Sequence, residues 1–167
     1  MKNKKNRKPR QSRAQRREAN APYKSTYERH VAEWMQANKV PFSYEGVTLP
    51  YPQPSPGKCL ECGGSKVARL RKYVPDFWVN PEGAIGKPED TFVLETKGRF
   101  TSEDRTKMLS VIEEYPMVRV RMLFMRDNPL NKKSKIRYTD WCKKHGIECA
   151  VGVELPAAWI VRRGKRK

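Results

Sequence analysis

The pattern of apolar and polar positions predicts a domain of mixed α/β type. Apolar residues recur at helical spacing between Tyr27 and Met35, and again between Met108 and Tyr115, which predicts two helices. A third, shorter helix is predicted to begin at Thr139. Alternating or continuous apolar runs predict strands at residues 42–49, 67–79 (broken near Pro75), 91–97, 117–125 and 149–153. This order predicts a mixed central β-sheet with helices packed on it.

Polar residues and glycine mark the expected ends of these helices. Ser25, with Glu28 three positions later, forms a capping-box pattern at the first helix. Thr101 is expected to cap the second helix, and Thr139 the third, which Gly146 would end. The buried face of the second helix is expected to comprise Met108, Leu109, Ile112 and Tyr115.

Residues 50–56 carry proline at every second position. Because proline lacks an N–H donor, this stretch predicts a stiff extended connector that cannot lie inside a sheet. It leads to Cys59 and Cys62, a Cys-x-x-Cys pair followed by glycine, which is typical of half a tetrahedral zinc site. The alternative is two free thiols in a loop. The remaining zinc ligands would come from the same pair in a second subunit, or from Cys142, Cys149 or His145.

Positive charge is concentrated at the two ends of the chain, whose net charge is +18. Residues 1–24 hold ten Lys/Arg and one Glu, and residues 162–167 hold five Lys/Arg and no acid. Such tails favour a polyanionic partner, and nucleic acid first, because neutralising phosphates releases counterions. An anionic membrane is a weaker candidate, since the tails lack the large apolar residues of an interfacial helix. Tails that only increase solubility are the remaining alternative.

The predicted phosphate contacts are basic residues in the N-terminal arm and in the loop at residues 128–137. In the arm they are Lys4, Lys5, Arg7, Lys8, Arg10, Arg13, Arg16 and Arg17. In the loop they are Lys132, Lys133 and Lys135. For the loop, a solvated surface segment is an equal alternative.

The composition also predicts the organisation of the chain. Hydrophobic residues make up 37% of the sequence, which is low for one domain and indicates that part of the chain is unpacked. We expect a disordered basic arm at residues 1–24, a folded domain at 25–161 and a basic tail at 162–167. No run of 18 apolar residues and no apolar N-terminal signal region exist, so no membrane span and a cytoplasmic location are expected. There, the four cysteines would be reduced or metal-bound.

Three charged residues mark a candidate catalytic site. Asp76 follows Pro75, and Glu95 and Lys97 lie in the predicted strand 91–97, where strand alternation directs both to the same side. Two carboxylates with room for water suit Mg²⁺, and a lysine can orient or deprotonate an attacking water. The pattern resembles the PD-(D/E)xK nuclease core. The alternative is a solvated strand end with an i,i+2 ion pair.

The chain as a whole resembles bacteriophage endonuclease I, the Holliday-junction resolvase of the T-seven-type phages. The resemblance covers about residues 25–161 and includes blocks that carry no catalytic residue. The matching features are the opening helix with Glu28 and the segments F-S-Y-E, L-P-Y-P, V-P-D-F, V-L-E-T-K-G, S-E-D-R, W-C-K-K-H-G-I and L-P-A-A-W-I.

The resemblance implies a function and a role for each site residue. The family cleaves four-way and other branched DNA with Mg²⁺ or Mn²⁺. Asp76 and Glu95 would hold one metal ion with the Thr96 carbonyl, and Glu28 would hold a second with Asp76. The local sequence pattern alone predicts that Glu28 caps the helix, whereas the resemblance favours the role of a metal ligand. Lys97 would position or activate the attacking water.

The resemblance further implies a domain-swapped homodimer acting in the host cytoplasm. Residues 25–49 would form the exchanged helix and strand, residues 50–73 the connector, and residues 74–161 the catalytic core. Each site would combine Glu28 of one chain with the other site residues of its partner. The long basic arm and the Cys59–Cys62 insert depart from the family pattern, and we hypothesise that the two Cys-x-x-Cys pairs meet across the dimer and share a zinc ion.

Two other functions remain open at this point. A restriction- or repair-type endonuclease on the same core would keep the metal site but cut linear duplex DNA. A non-enzymatic, basic zinc-knuckle protein that binds DNA or RNA would account for the tails and the cysteines. It would not account for Asp76, Glu95 and Lys97 in nuclease order.

Overall fold

The computed structural model describes residue 12 and residues 18–56, 66–81 and 90–160. The helices are α1 (Thr26–Ala37), α2 (Ser102–Glu114) and α3 (Tyr138–Lys144), with a 3₁₀ turn at Ala157–Trp159. The strands are β1 (Phe42–Tyr44), β2 (Leu49–Pro56), β3 (Lys66–Tyr73), β4 (Phe77–Val79), β5 (Phe92–Lys97), β6 (Val120–Phe124) and β7 (Glu148–Val151).

Five strands form one mixed sheet in the order β1-β4-β5-β6-β7, which confirms the predicted α/β class. The pairs β1–β4 and β4–β5 are antiparallel, whereas β5–β6 and β6–β7 are parallel. The remaining strands, β2 and β3, form a separate antiparallel ribbon. Because β5 and β6 are parallel, Lys97 and Phe124 pair at the same edge of the sheet, where both strands end.

Hydrophobic cores lie on both faces of the sheet. On one face α1 packs through Val31 and Met35. On the other face α2 and α3 pack through residues that include Met108 and Trp141. Residues of β5 alternate between the two, with Leu94 in the first core and Val93 in the second. This alternation directs Glu95 and Lys97 toward α2, and Thr96 toward the side of α1.

The strands are shorter than the apolar pattern predicts. The strand expected at 42–49 ends at Tyr44, because Glu45 adopts a positive φ of 50° and the chain turns. The strand expected at 117–125 spans only Val120–Phe124, and Met117 is 94% exposed. The last strand ends at Val151, before Gly152 with its φ of 116°. Positive-φ positions thus set two of the three boundaries.

The proline-rich stretch is a β-strand, so the prediction of a connector outside any sheet was wrong. Residues 49–56 form β2 and pair with β3 in a continuous register from Leu49↔Tyr73 to Pro56↔Lys66. In an antiparallel pair, every second residue directs its N–H away from the partner strand. The alternating prolines fit those positions, and the Pro50 carbonyl accepts a hydrogen bond at 2.5 Å from the hydroxyl of Tyr115, the residue that follows α2.

The N-caps agree with the sequence except at α3. Ser25 caps α1, but the carboxylate of Glu28 accepts from the N–H of Lys24 rather than that of Ser25, so the predicted reciprocal capping box is not formed. Thr101 caps α2 in a capping box with Asp104. At α3 the N-cap is Arg137, whose N–H donates to the Asp140 carboxylate, while the Thr139 hydroxyl donates to the carboxylate of Asp127. Gly146 follows α3 with a φ of 66°, as expected for a helix stop.

The buried face of α2 also differs from its prediction. Leu109 is 38% exposed, and Val111 is fully buried in its place beside Met108. The apolar stripe of this helix is wide enough to be centred on either residue, and packing in the core on this face selects Met108 and Val111, which are three apart. Ile112 and Tyr115 are half-buried against the same core, as predicted. No helix in the described parts of the chain is both long and apolar enough to cross a membrane.

Candidate active site

Asp76 lies directly before β4 and contacts the end of β5. Its Oδ2 accepts hydrogen bonds from both the backbone N–H and the hydroxyl of Thr96, each at 2.7 Å. Burial, and next the negative charge of Glu95, raise the pKa of Asp76 to about 6, although the Thr96 hydrogen bonds oppose this shift. The ionised form is therefore disfavoured unless positive charge is supplied nearby.

Glu95 is the most buried carboxylate of the site, at 2% exposure. Its Oε1 contacts the ammonium groups of Lys97 at 2.8 Å and Lys107 at 2.9 Å. Its Oε2 is buried and makes no hydrogen bond with any described residue. Both lysines therefore neutralise one oxygen and leave the other available as a ligand.

Tyr73, at the end of β3, closes the site on the side of Glu95. The residue is 1% exposed, and its hydroxyl likewise has no hydrogen-bond partner in the described part of the structure. Burial, and next the charge of Glu95, raise the pKa of Tyr73 well above its ordinary value. The Lys107 ammonium lies 5.1 Å from the centre of the Tyr73 ring, in a cation–π contact.

Lys97 connects the site to the start of α2. Its ammonium lies 3.3 Å from Oδ1 of Asp104, the residue that completes the α2 capping box. Burial disfavours the charged form of Lys97, but the carboxylates of Glu95 and Asp104 outweigh this effect and raise its pKa. Lys97 is therefore an ammonium at neutral pH, which suits it to hold an anion or orient a water more than to remove a proton.

Glu28 is held in the helix-capping network of α1. Its Oε1 accepts a hydrogen bond from the Ser25 hydroxyl at 2.7 Å. Its Oε2 accepts from the Tyr44 hydroxyl at 2.7 Å and from the Lys24 N–H at 3.0 Å. The charge of Glu28 also contributes, as the last of the causes, to the raised pKa of Asp76. Glu28 thus lies within electrostatic range of Asp76 while it serves as a cap.

The sheet separates Glu28 from Glu95. Glu28 belongs to α1 on one face, and Glu95 points to the other face, with Asp76 at the strand end between them. In the ranges that the structure describes, no three His, Cys, Asp or Glu side chains are close enough to hold a metal ion together. Asp76 and Glu95 are therefore the two carboxylates that lie together, near the Thr96 backbone.

Sequence reasoning missed Lys107 and Tyr73. Lys107 follows Glu95 by twelve positions and reaches it only because α2 folds back onto β5. Tyr73 comes from the ribbon, whose pairing was not expected. The only sequence signal for Lys107 was a lysine next to Met108 on the sheet-facing side of an amphipathic helix.

The other predicted site residues fall in two groups. Lys132, Lys133 and Lys135 are exposed in the loop that follows β6, at the sheet edge where Lys97 lies. The predicted contacts of the N-terminal arm, from Lys4 to Arg17, lie outside the described residues, as does the tail at 162–167.

The cysteines give no four-ligand zinc site where the structure describes them. Cys59 and Cys62 lie outside the described residues. Cys142 is buried, and its thiol donates to the sulfur of Met122 at 3.9 Å, whereas Cys149 is half-buried. His145 caps the end of α3 and packs against Trp141 with the two rings tilted by 42° and their centres 4.5 Å apart.

Comparison with known proteins identifies the family to which this chain is similar. The model of the Phage endonuclease I family matches residues 10–166. Endonuclease I of Escherichia phage T7 is 32% identical over 139 residues, which cover 83% of this chain and 78% of that protein. Endodeoxyribonuclease 1 of Enterobacteria phage T3 is 30% identical over 126 residues, which cover 75% of this chain and 68% of that protein. The resemblance found in the sequence motifs is thereby confirmed, and this chain belongs to the phage endonuclease I family.

Proposed function

We propose that this protein is a phage DNA endonuclease that resolves four-way junctions and other branched DNA by metal-dependent hydrolysis of phosphodiester bonds in the host cytoplasm. The observation that carries the proposal is the pair of half-buried Asp76 and buried Glu95 beside Lys97 at one edge of the sheet. The printed names of the relatives, an endonuclease and an endodeoxyribonuclease, support DNA as the substrate.

The donor set fits a hard divalent cation such as Mg²⁺ or Mn²⁺. Glu95 Oε2 is a buried acceptor without a hydrogen-bond partner among the described residues, and it is the natural first ligand. Asp76 would be the second protein ligand, because a cation there offsets the burial and repulsion that raise its pKa. The Thr96 carbonyl would be the third ligand that the protein contributes. Mg²⁺ usually keeps several waters, so a site with few protein ligands suits it.

Each residue has a distinct task in the reaction. Two bound cations would favour hydroxide formation and stabilise the leaving oxygen of an in-line displacement. Lys97, held as an ammonium between Glu95 and Asp104, would donate a hydrogen bond to a phosphate oxygen or to the attacking water. Asp76 stays fixed because Thr96 donates two hydrogen bonds to one of its oxygens. No covalent intermediate is required.

Glu28 is proposed to help Asp76 hold the second cation, by exchanging its hydrogen bonds to Tyr44 and Ser25 for that role. We further propose that the unit of α1 and β1 is exchanged between the two chains of a homodimer. In the single chain this unit packs on its own core, with the Tyr44 and Phe77 rings 5.5 Å apart. A swap reproduces the same contacts between chains, at little cost.

The exchange can be tested with two inactive variants. Glu28→Gln and Glu95→Gln are each expected to abolish cutting. If α1 is exchanged, co-refolding the two variants creates mixed dimers in which one site is intact, and nicking activity returns. If α1 stays on its own chain, every site carries one substitution and the mixture stays inactive. Sedimentation of each variant alone controls for the oligomeric state.

The function itself is tested by offering a four-way junction and a linear duplex of the same sequence, with Mg²⁺. Cutting of the junction by the wild type, and none by Glu95→Gln, would support the proposal. Metal-dependent cutting of the linear duplex instead would favour a restriction- or repair-type endonuclease. Binding without cutting by both proteins would favour a nucleic-acid-binding protein, in which case zinc analysis for the Cys59–Cys62 pair becomes the next measurement.

A further inference from the structure

The β2–β3 ribbon is positively charged on one strand only. Strand β3 (Lys66–Tyr73) contains four Lys/Arg and no acid, and β2 contains no charged residue. Arg69, Arg71 and Lys72 are all exposed. None of the three forms an ion pair with another described residue. Their charge is therefore available to an external partner.

Strand register divides these three residues between two faces. Arg69 and Arg71 share a face with Tyr73, whereas Lys72 lies on the opposite face with Leu70. Across the ribbon, Tyr51 pairs with Arg71, and the charge of Arg71 acts against the burial that raises the pKa of Tyr51. The basic face is thus continuous with the face that the ribbon turns toward the protein.

That same face ends at the candidate active site. Tyr73 and Tyr51 are buried, at 1% and 4% exposure, in the core that contains Met108 of α2. Tyr73 also lies beside Glu95, whose charge raises its pKa. With a rise of about 3.3 Å per strand residue, Arg71 and Arg69 follow Tyr73 at about 7 and 13 Å. They form a line that leads away from the catalytic carboxylates.

We propose that Arg69 and Arg71 bind backbone phosphates of the DNA strand that enters the active site. This inference rests on the proposed function, because it assigns a further surface to the same substrate. The guanidinium group binds phosphate in a bidentate manner and retains its charge at all working pH values. One nucleotide advances about 3.4 Å along the axis of a duplex, so we expect the contacted phosphates roughly two to four nucleotides from the phosphate nearest Tyr73, on the side of the scissile bond.

The ribbon suits this task because it is held at both of its strands. Tyr73 and Tyr51 anchor its base in the core, and the Tyr115 hydroxyl binds the Pro50 carbonyl. Prolines fix the backbone angles of β2 and limit its bending. Contacts to phosphates carry no base readout, so they agree with selection of DNA by shape.

The test compares charge removal on the two faces. Arg69→Gln/Arg71→Gln is the variant, and Lys72→Gln, which removes an exposed charge from the other face of the same strand, is the control. Binding of a four-way junction is measured in EDTA over a range of NaCl concentrations. The slope of log K against log salt is expected to fall by about 0.9 for each lost phosphate contact in the double variant. It should stay at the wild-type value in Lys72→Gln.

Cleavage provides a second readout. The double variant is expected to raise KM several-fold while kcat stays near that of the wild type, because the chemistry of Glu95 and Lys97 is untouched. Equal salt slopes in the double variant and the wild type would overturn the inference, as would an equal loss in Lys72→Gln. Failure of the proposed function is a separate result, namely no cutting of DNA by the wild type, or cutting of the linear duplex in place of the junction.

A footprint on the wild-type protein tests the same inference without depending on the folding of the variant. Ethylation of single phosphates is used to find those that interfere with binding. Interference at phosphates about two to four nucleotides from the cut is the expected result. Interference confined to the scissile phosphate and its immediate neighbours would contradict the assignment of the ribbon.

Discussion

Lys107 of α2 and Lys97 of β5 bind the same oxygen atom, Oε1 of Glu95, at 2.9 and 2.8 Å. Two ammonium groups thus pair with one buried carboxylate oxygen. They also hold the carboxylate so that Oε2 has no hydrogen-bond partner among the residues that the structure describes. The residue predicted as a metal ligand is thus oriented from two separate elements of the fold.

Loss of Lys107 is expected to destabilise the protein. Lys107→Met removes a charge-assisted hydrogen bond to a buried carboxylate, so the free energy of unfolding should fall by about 1.5–3 kcal/mol. Urea denaturation at pH 7.5 in EDTA measures this. A double-mutant cycle with Glu95→Gln isolates the pair, and Lys107→Arg is the conservative control. A coupling energy near zero would show that the contact contributes nothing.

Replacing Asp76 is expected to stabilise the metal-free protein. The folded-state pKa of about 6 lies above the ordinary value of 3.8, so ionised Asp76 costs stability at pH 7.5. That cost disappears as the pH falls from about 6 to about 4, because the folded protein then takes up a proton that the unfolded chain does not. Asp76→Asn should therefore raise the free energy of unfolding at pH 7.5 in EDTA by about 1–3 kcal/mol.

The pH series supplies the control for Asp76→Asn. The difference between variant and wild type should shrink at pH 4.5, where most of the wild-type carboxyl is protonated in the folded state. A difference that is constant between pH 7.5 and pH 4.5 would mean that charge is not its cause. A variant less stable than the wild type at pH 7.5 would contradict the predicted sign.

A divalent cation should stabilise the protein through the same carboxylates. Ligand that binds only the folded state at 100 times its Kd adds about 2.7 kcal/mol. Mg²⁺ should therefore raise the melting temperature of the wild type above its value in NaCl of equal ionic strength. Glu95→Gln should lose most of this increase. An equal increase in Glu95→Gln would place the cation elsewhere.

The packing of α2 predicts that truncating two neighbouring residues to alanine has very different effects on stability. Met108 is fully buried, whereas Leu109 is 38% exposed. Met108→Ala should lower the free energy of unfolding by about 2–5 kcal/mol, because it opens a cavity in the core. Leu109→Ala should cost less than about 1 kcal/mol. Thermal or urea unfolding of the two variants decides this, and a larger loss for Leu109→Ala would restore the face predicted from the sequence.

The placement of several residues of the candidate site could be predicted because its signals are local. Glu95 and Lys97 are two residues apart on one strand, and that spacing alone directs both to the same face. Asp76 was marked by its position after a proline at the start of a second strand. The caps at Ser25 and Thr101 were likewise local, since the donor and acceptor are three residues apart.

The features that sequence reasoning missed depend on contacts between distant segments. Lys107 reaches Glu95 across the turn between β5 and α2. Leu109 and Val111 are both apolar, so only the position of the helix on the sheet decides which one is buried. The ribbon was missed because each proline was considered singly, as a residue that cannot donate to a strand ladder. Its alternation, which makes all the prolines compatible with a single partner strand, was overlooked.

The alternating prolines also determine what the ribbon cannot do. Along the outer edge of β2, the positions that would present N–H groups to a further strand are held by proline, and Pro50 already directs its carbonyl to Tyr115. An incoming strand would find acceptors and no donors. The basic ribbon therefore cannot pair a further chain along its β2 edge, because the backbone donors that such a chain would need are missing there.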